Sequence, residues 1–260
     1  MAPGQAWQWR AGVELRAMAE LRIGTSAFTA EGWEGTFYPK GIAAREQLTY
    51  YATQFDTVEL DNTFYRTPAS STVKGWYAKT PPGFVFAAKV PQVITHEKML
   101  VDCEADFKHF LGTMDELREK LRPFLEKLPS GYKFAVEIRN KYWLDAKFVE
   151  TLREHGVALA LIDQSWMPRP WEIKGNLDLI TADFTYVRWL GDRKAIEEQT
   201  TSWDKTIVDR SGELKEWVDV FMKFFFRNIK IFAFANNHYA GHGPATVRQF
   251  QRLLAERAGK

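Results

Sequence analysis

The chain has 260 residues, 45% apolar and 26% charged, with 35 basic against 33 acidic side chains and a formal charge of +2. That length suits one large α/β domain or two small ones with a substantial core, and so even a charge balance gives no global attraction to nucleic acid or an anionic membrane. The single cysteine, Cys103, excludes an intramolecular disulfide framework and a cysteine-built zinc site, and points to a reducing cytoplasm. No apolar run approaches the roughly 20 residues of a membrane span, and no secretory leader is visible in residues 1–20. Residues 1–19 read as an N-terminal appendage and residues 20–257 as a single domain.

In chain order, Leu21–Phe28 is the first short apolar run, and Leu48, Tyr51, Ala52 and Phe55 then hold one helical face. Thr57–Tyr65 follows, after which Ser70, Ser71 and Thr72 offer N-caps to a helix carrying Val73, Trp76 and Tyr77. Beyond Val85–Pro91, a stripe from Phe107 to Leu128 predicts a long helix that Pro123 kinks or breaks. Phe134–Arg139 precedes a helix with Phe148 and Leu152 that Gly156 can close. Ala158–Asp163 and Thr185–Gly191 come next, then an apolar helical face from Leu214 to Phe225. Ile229–Asn237 and a helix with Val247, Phe250 and Leu254 complete the series.

Strand-length runs bounded by Gly, Pro, Asn or Asp alternate with helices, the signature of a parallel sheet with crossover helices. Seven runs make the α/β TIM (β/α) barrel the nearest architecture. A doubly wound sheet would bring a Gly-rich phosphate turn after the first strand; here the long aromatic loop Thr29–Ala43, with Trp33, Phe37 and Tyr38, follows instead.

Buried parallel strands leave an ionisable residue costly unless it is paired or functional. Glu59 and Asp61 alternate with Val58 and Leu60, and Glu137 and Arg139 with Val136 and Ile138; period-two geometry turns the charged members inward. Lys89, Asp163, Arg188, Asn236 and Asn237 also sit late in their runs, toward the rim where barrel enzymes build their sites. Glu59 and Glu137 can divide acid and base roles, with Lys89 and His96 as further catalytic candidates. Lys89, Arg139 and Arg188 can clamp an anion, while Asn62, Tyr65, Trp143, Asn236 and Asn237 offer contacts to substrate.

His238 and His242 are four apart, but Gly241 and Gly243 argue against a helix joining them, and zinc is not expected. Residues 237–244 read as a loop feeding a helix whose start can take an anion, and Trp166–Trp171 as an ordinary loop rather than a lid. No cofactor and no metal are expected; a magnesium or manganese site from Glu59, Glu137 and Asp163 stays open, though three cations compete for those carboxylates.

The chain resembles the domain-of-unknown-function 72 (YecE-like) family from about Arg22 to Leu254. The resemblance is carried by Gly24-Thr25-Ser26, Phe37-Tyr38-Pro39, Val58-Glu59 and Asn62-Thr63-Phe64-Tyr65-Arg66. Ala88-Lys89, Ile94-Thr95-His96, Ala135-Val136-Glu137-Ile138-Arg139 with Trp143, Tyr186-Val187-Arg188 and Asn236-Asn237 extend it. It implies a TIM barrel whose polar rim coincides with the residues above, and it supplies no reaction. Family members have a further strand before Ala135-Val136-Glu137, which no apolar run between Gln92 and Lys133 provides. A missing fourth strand predicts a gap, or a distorting direct pairing, between the third strand and the Phe134 run.

Three functions follow. The first is an enzyme without a redox cofactor, acting on a small anionic or sugar-like molecule, phosphorylated ones included, by carboxylate acid/base chemistry: a hydrolase, lyase or isomerase. The second is a non-catalytic ligand-binding or interaction protein using its aromatic loops, and the third a magnesium- or manganese-dependent hydrolase or isomerase.

Overall fold

The computed structural model describes residues 20–99, 101–114, 133–139, 141–173 and 177–259. The expected appendage 1–19 and the second half of the Phe107–Leu128 stripe lie outside these residues. The described chain runs β1 (Leu21–Thr25), α1 (Ala44–Gln54), β2 (Thr57–Leu60), α2 (Ser70–Ala78), β3 (Val85–Ala88) and α3 (Glu104–Met114). It continues with β4 (Ala135–Val136), α4 (Ala146–Glu154), β5 (Ala158–Asp163), β6 (Phe184–Trp189) and α5 (Arg193–Glu197). Last come α6 (Ser211–Phe226), β7 (Lys230–Ala235), α7 (Asn237–Ala240) and α8 (Gly243–Ala258). No helix among the described residues is long and apolar enough to cross a membrane.

All ladder pairs between these strands are parallel. Five strands form one sheet in the order β1-β7-β6-β5-β4, and β2 pairs with β3. Tyr51 of α1 joins the two sheets: its hydroxyl accepts the Thr25 N–H at 2.9 Å and lies 3.2 Å from the Thr57 carbonyl. A side chain thus sits where a β1–β2 ladder bond would be. Gly24 is required at this seam, because a Cβ there would lie 2.1 Å from the Thr57 carbonyl oxygen.

The sheet curls. From β6 to β2 is three strand steps through β7 and β1, about 14 Å in a flat sheet, yet the Arg188 and Glu59 side chains are in contact at 3.0 Å. The core accordingly has two parts. Val187, Trp189, Ala233 and Ile23 are buried on the helix side, with Trp217, Phe221 and Phe250 over them. Tyr186, Phe232 and Phe234 fill the interior.

Local signals explain where the strands end. Thr57–Tyr65 stops being a strand at Leu60, because Thr63 Oγ1 engages the Leu60 and Lys89 carbonyls (2.7 and 2.8 Å) and Asp61–Phe64 closes into a 3₁₀ turn. The last run stops at Ala235 because the Asn236 side chain caps α7 through the His238 N–H. α7 is a short helix within the expected loop; Gly241, at φ 107°, ends it, and His242 precedes α8. The two histidines therefore share no helix. Ser70, Ser71 and Thr72 are not caps: α2 starts at Ser70 after Ala69, so their hydroxyls fall inside the first turn.

Among the described residues, β3 pairs only with β2 and β4 only with β5. Residues 92–99 and 101–114 contain a π turn (Val93–Glu97) and α3 but no strand, while 115–132, where a fourth strand would otherwise fall, lie outside the described residues.

Candidate active site at the carboxyl ends of the strands

Residues paired across a parallel ladder share a face. Arg188 registers with Ile162 on β5 and Phe234 on β7, and Tyr186 with Ala160 and Phe232; this face lines the interior. Glu59 enters it from β2, and Glu137 follows β4 with the same parity.

At the base of the cluster Glu59 is 1% exposed and Arg188 4%. Glu59 Oε1 accepts the Tyr186 hydroxyl at 2.7 Å, and Oε2 accepts Arg188 Nη2 at 3.0 Å and Nε at 3.3 Å. Arg188 Nη1 donates to Glu137 Oε2, and Nη2 reaches Asp61 Oδ1 at 3.5 Å. Nearer solvent, Lys89 Nζ lies 2.6 Å from Asp61 Oδ1, and Arg139 Nε donates to Glu137 Oε1 at 3.0 Å. Side-chain exposure rises outward: 5% at Arg188, 18% at Glu137, 32% at Asp61 and 66% at Arg139.

This layering separates the carboxyl groups chemically. Burial alone would raise Glu59, but the Arg188 and Lys89 charges and the Tyr186 hydrogen bond hold it below the usual carboxylate range. The same contest, decided chiefly by Arg188, keeps Glu137 low. Asp61 goes the other way: burial and the Glu59 charge push it up to about 6, against the pull of Lys89 and Arg188.

Glu59, Glu137, Lys89, Arg139 and Arg188 therefore meet, together with Asp61, which the sequence placed on the face of Glu59 without giving it a role. Phe64 links Lys89 to one more: the Lys89 ammonium lies 5.8 Å from its ring centroid and the His96 ring meets it edge-on at 5.1 Å. His96 itself is exposed, its Nδ1 2.8 Å from Thr95 Oγ1. Asn62 and Tyr65 are exposed at the start of the loop after β2, and Trp143 is 60% exposed beside Phe148.

Three candidates are placed elsewhere. Asn236 caps α7, and Asn237 Oδ1 accepts from Trp33 Nε1 and Gly243 N, tying the first loop to α8. Asp163 registers with Trp189, hence faces the helices, where it accepts from Arg169 Nε (2.7 Å), Trp217 Nε1 and Tyr239 OH (both 2.8 Å). The Glu59, Glu137 and Asp163 set considered for a divalent cation is not assembled. Among the described residues no group of three or more His, Cys, Asp or Glu is placed to hold a metal ion.

Beside the cluster an open cleft of about 760 Å³ runs between Arg139 and Lys141, after β4, and Ser165, Trp166, Pro168 and Glu172, after β5. Sequence periodicity gave no sign of Lys141 or Ser165 as site residues, because Lys141 opens a three-residue 3₁₀ turn and Ser165 lies in the turn after β5.

Fold and site together define a parallel-sheet α/β protein with a charged cluster at the carboxyl ends of its strands. The chain belongs to the family described as "Protein of unknown function DUF72", whose model matches residues 22–130 and 118–260. Among curated relatives it is 29% identical over 204 residues to UPF0759 protein YunF of Bacillus subtilis, covering 71% of this chain and 69% of the relative. It is 26% identical over 147 residues to UPF0759 protein YecE of Escherichia coli, covering 47% of this chain and about half (53%) of that relative's length. The fold is similar to crystal structures of DUF72 family proteins from Thermotoga maritima (TM-score 0.68, 24% identity, 93% of this chain and 100% of that one) and Enterococcus faecalis (0.67, 20%, 90% and 95%).

Proposed function

We propose that the protein is an acid/base enzyme acting on a small anionic or sugar-like molecule at the carboxyl ends of its strands, with Asp61 as the proton-transferring group. The observation that carries this is the Asp61–Lys89 pair: a part-exposed carboxyl pushed up to about 6 beside an ammonium at 2.6 Å. A catalytic carboxyl with its pKa near the working pH can both take and return a proton. Glu59, with both oxygens engaged, is a positioning residue that fixes Arg188 and repels charge on Asp61. Glu137 stays ionised and orients Arg139. His96 sits one ring away from Lys89, where it can contact substrate.

The same reading takes the curled sheet as a TIM barrel-like fold with the fourth unit reduced. In support, the two family matches overlap at 118–130, within the stretch where no apolar strand run occurs. It also takes the setting as the cytoplasm, since the chain holds one cysteine and the cluster needs no disulfide.

The test is proton NMR in deuterium oxide with a pool of sugars, sugar phosphates and hydroxy acids. Wild-type protein should exchange a C–H proton or convert one pool member, with kcat/KM turning near pH 6, and Asp61→Asn should abolish it. An Asp61→Asn variant as active as wild type would refute the assignment.

A further inference from the structure

We propose that the cleft beside the cluster is the binding site for the phosphate-bearing part of the substrate, and that the substrate is a phosphomonoester with a sugar-sized body. This rests on the reading of the strand ends as a small-molecule site and names what enters it.

Charge is the first reason. Arg139 spends only its Nε on Glu137, so its two terminal nitrogens carry no ion pair among the described residues. Lys141, on the same wall, has no ion pair among them either; its ammonium lies 5.5 Å from the Tyr142 ring centroid. Glu172, the acidic lining residue, accepts the Arg169 N–H at 2.8 Å and lies 3.4 Å from Arg169 Nη1, whose guanidinium also holds Asp163. Among the described residues the cleft therefore offers the two terminal nitrogens of Arg139 and the Lys141 ammonium as cationic donors. A phosphomonoester, with three strong acceptor oxygens and about −1.5 to −2 charges near neutral pH, can take donors from both side chains at once. A planar guanidinium with both terminal nitrogens available also suits two phosphate oxygens at once.

Shape is the second reason. Trp166, 42% exposed, and Pro168 line the same cleft and add apolar surface to its cations. A volume of about 760 Å³ lies within the range of small-molecule sites and exceeds what a bare phosphate needs. The cleft also leads to the proton-transfer pair: from Arg139 through Glu137 and Arg188 to Asp61 is a continuous chain of ion pairs. A phosphate on Arg139 and Lys141 thus leaves the body of the molecule to reach inward toward Asp61 and Lys89.

Titration calorimetry on the full chain, with ribose 5-phosphate, glucose 6-phosphate, the two unphosphorylated sugars and inorganic phosphate, tests this directly. At least one sugar phosphate should bind, about tenfold or more tighter than its parent sugar and than inorganic phosphate. Lys141→Met and Trp166→Ala, both at exposed positions, should each weaken it about fivefold or more. Absence of binding by both sugar phosphates at about 10 mM, equal binding of the parent sugars or of inorganic phosphate, or wild-type affinity in Lys141→Met and Trp166→Ala would each overturn the proposal. Failure here with Asp61-dependent exchange of another pool member overturns the cleft assignment alone. Sugar phosphate binding with no exchange removes the proton-transfer reading and leaves the cleft standing.

Discussion

Replacing Arg188 by Met removes the one group that touches Glu59, Asp61 and Glu137 together. Its side chain is 5% exposed and that of Glu59 2%, so the carboxylate left behind gains little from water. Removing one member of a buried ion pair costs about 3–5 kcal/mol, because an uncompensated charge remains. For a chain of this size that is a fall in melting temperature of about 6–20 °C. The pH dependence is more diagnostic. In the wild type, Glu59 is held below its unfolded value, so its contribution is present at neutral pH and is lost on acidification. In Arg188→Met the burial of Glu59 wins, its pKa rises above the unfolded value, and the variant is relieved as Glu59 protonates. The gap between the two proteins should therefore narrow from about pH 7.5 to about pH 5. Urea unfolding followed by tryptophan fluorescence reads both, with an unchanged slope showing that the folded state is intact. The double variant Glu59→Gln/Arg188→Met should recover part of the loss. A difference under about 1 kcal/mol, or one equal at both pH values, would show that the ion pair does not hold this fold together.

Asp61 should titrate near 6 by carbon-13 NMR, and Lys89→Met should move it higher, since Lys89 is one of the charges holding it down; a midpoint near 4 would refute the site's electrostatics. Its folded value lies above its unfolded one, so Asp61 alone makes the protein more stable as pH falls from neutral through about 6. Gly24→Ala should cost about 1–3 kcal/mol or more in thermal unfolding, because its Cβ would meet the Thr57 carbonyl at 2.1 Å and neither strand backbone can yield; an unchanged melting temperature would mean that β1 and β2 are not so close. His242 is buried, which lowers its pKa to about 4, so stability is lost as pH drops from its unfolded value toward 4. His242→Gln should lessen that loss in melting curves taken across the range.

The charged cluster was legible because period two is rigid. Glu59 with Asp61, and Glu137 with Arg139, alternate with apolar neighbours, and one parity rule turns both pairs inward. The same rule needs a phase, and that is where it failed for Asp163: one residue along β5 from Ile162, it falls on the opposite face from Arg188, and no feature of the run Ala158–Asp163 reveals this. Asn236 and Asn237 were ambiguous for a different reason, since a strand-ending Asn serves equally as a ligand or as a cap, and here both oxygens are taken by the turn into α8. Asp61 was visible as a charge but not as the titrating one. Its shift depends on the separate burial of Glu59, a through-space term invisible in the sequence. The helix start at Ala146 is set by Asp145, whose Oδ1 accepts the Phe148 N–H at 2.7 Å as Asp does at a helix N-cap.

A purely structural plug would be cheaper in another form. Well-packed apolar residues replace buried ion pairs at no loss and often with a gain in stability, so charges held inside a curled sheet call for another reason. The arrangement along the axis of the cluster supplies one. At the bottom every Glu59 oxygen and most Arg188 nitrogens are satisfied, which makes that layer rigid and fixes protonation. One layer out, Asp61 has Lys89 at 2.6 Å, Arg188 at 3.5 Å and a like charge beneath it, and its pKa is pushed up to about 6. Outermost, Arg139 keeps two nitrogens open to the cleft. Under the proposed acid/base reading, a substrate would meet these layers in reverse, the outer cations first, then Asp61, then the ion pairs below.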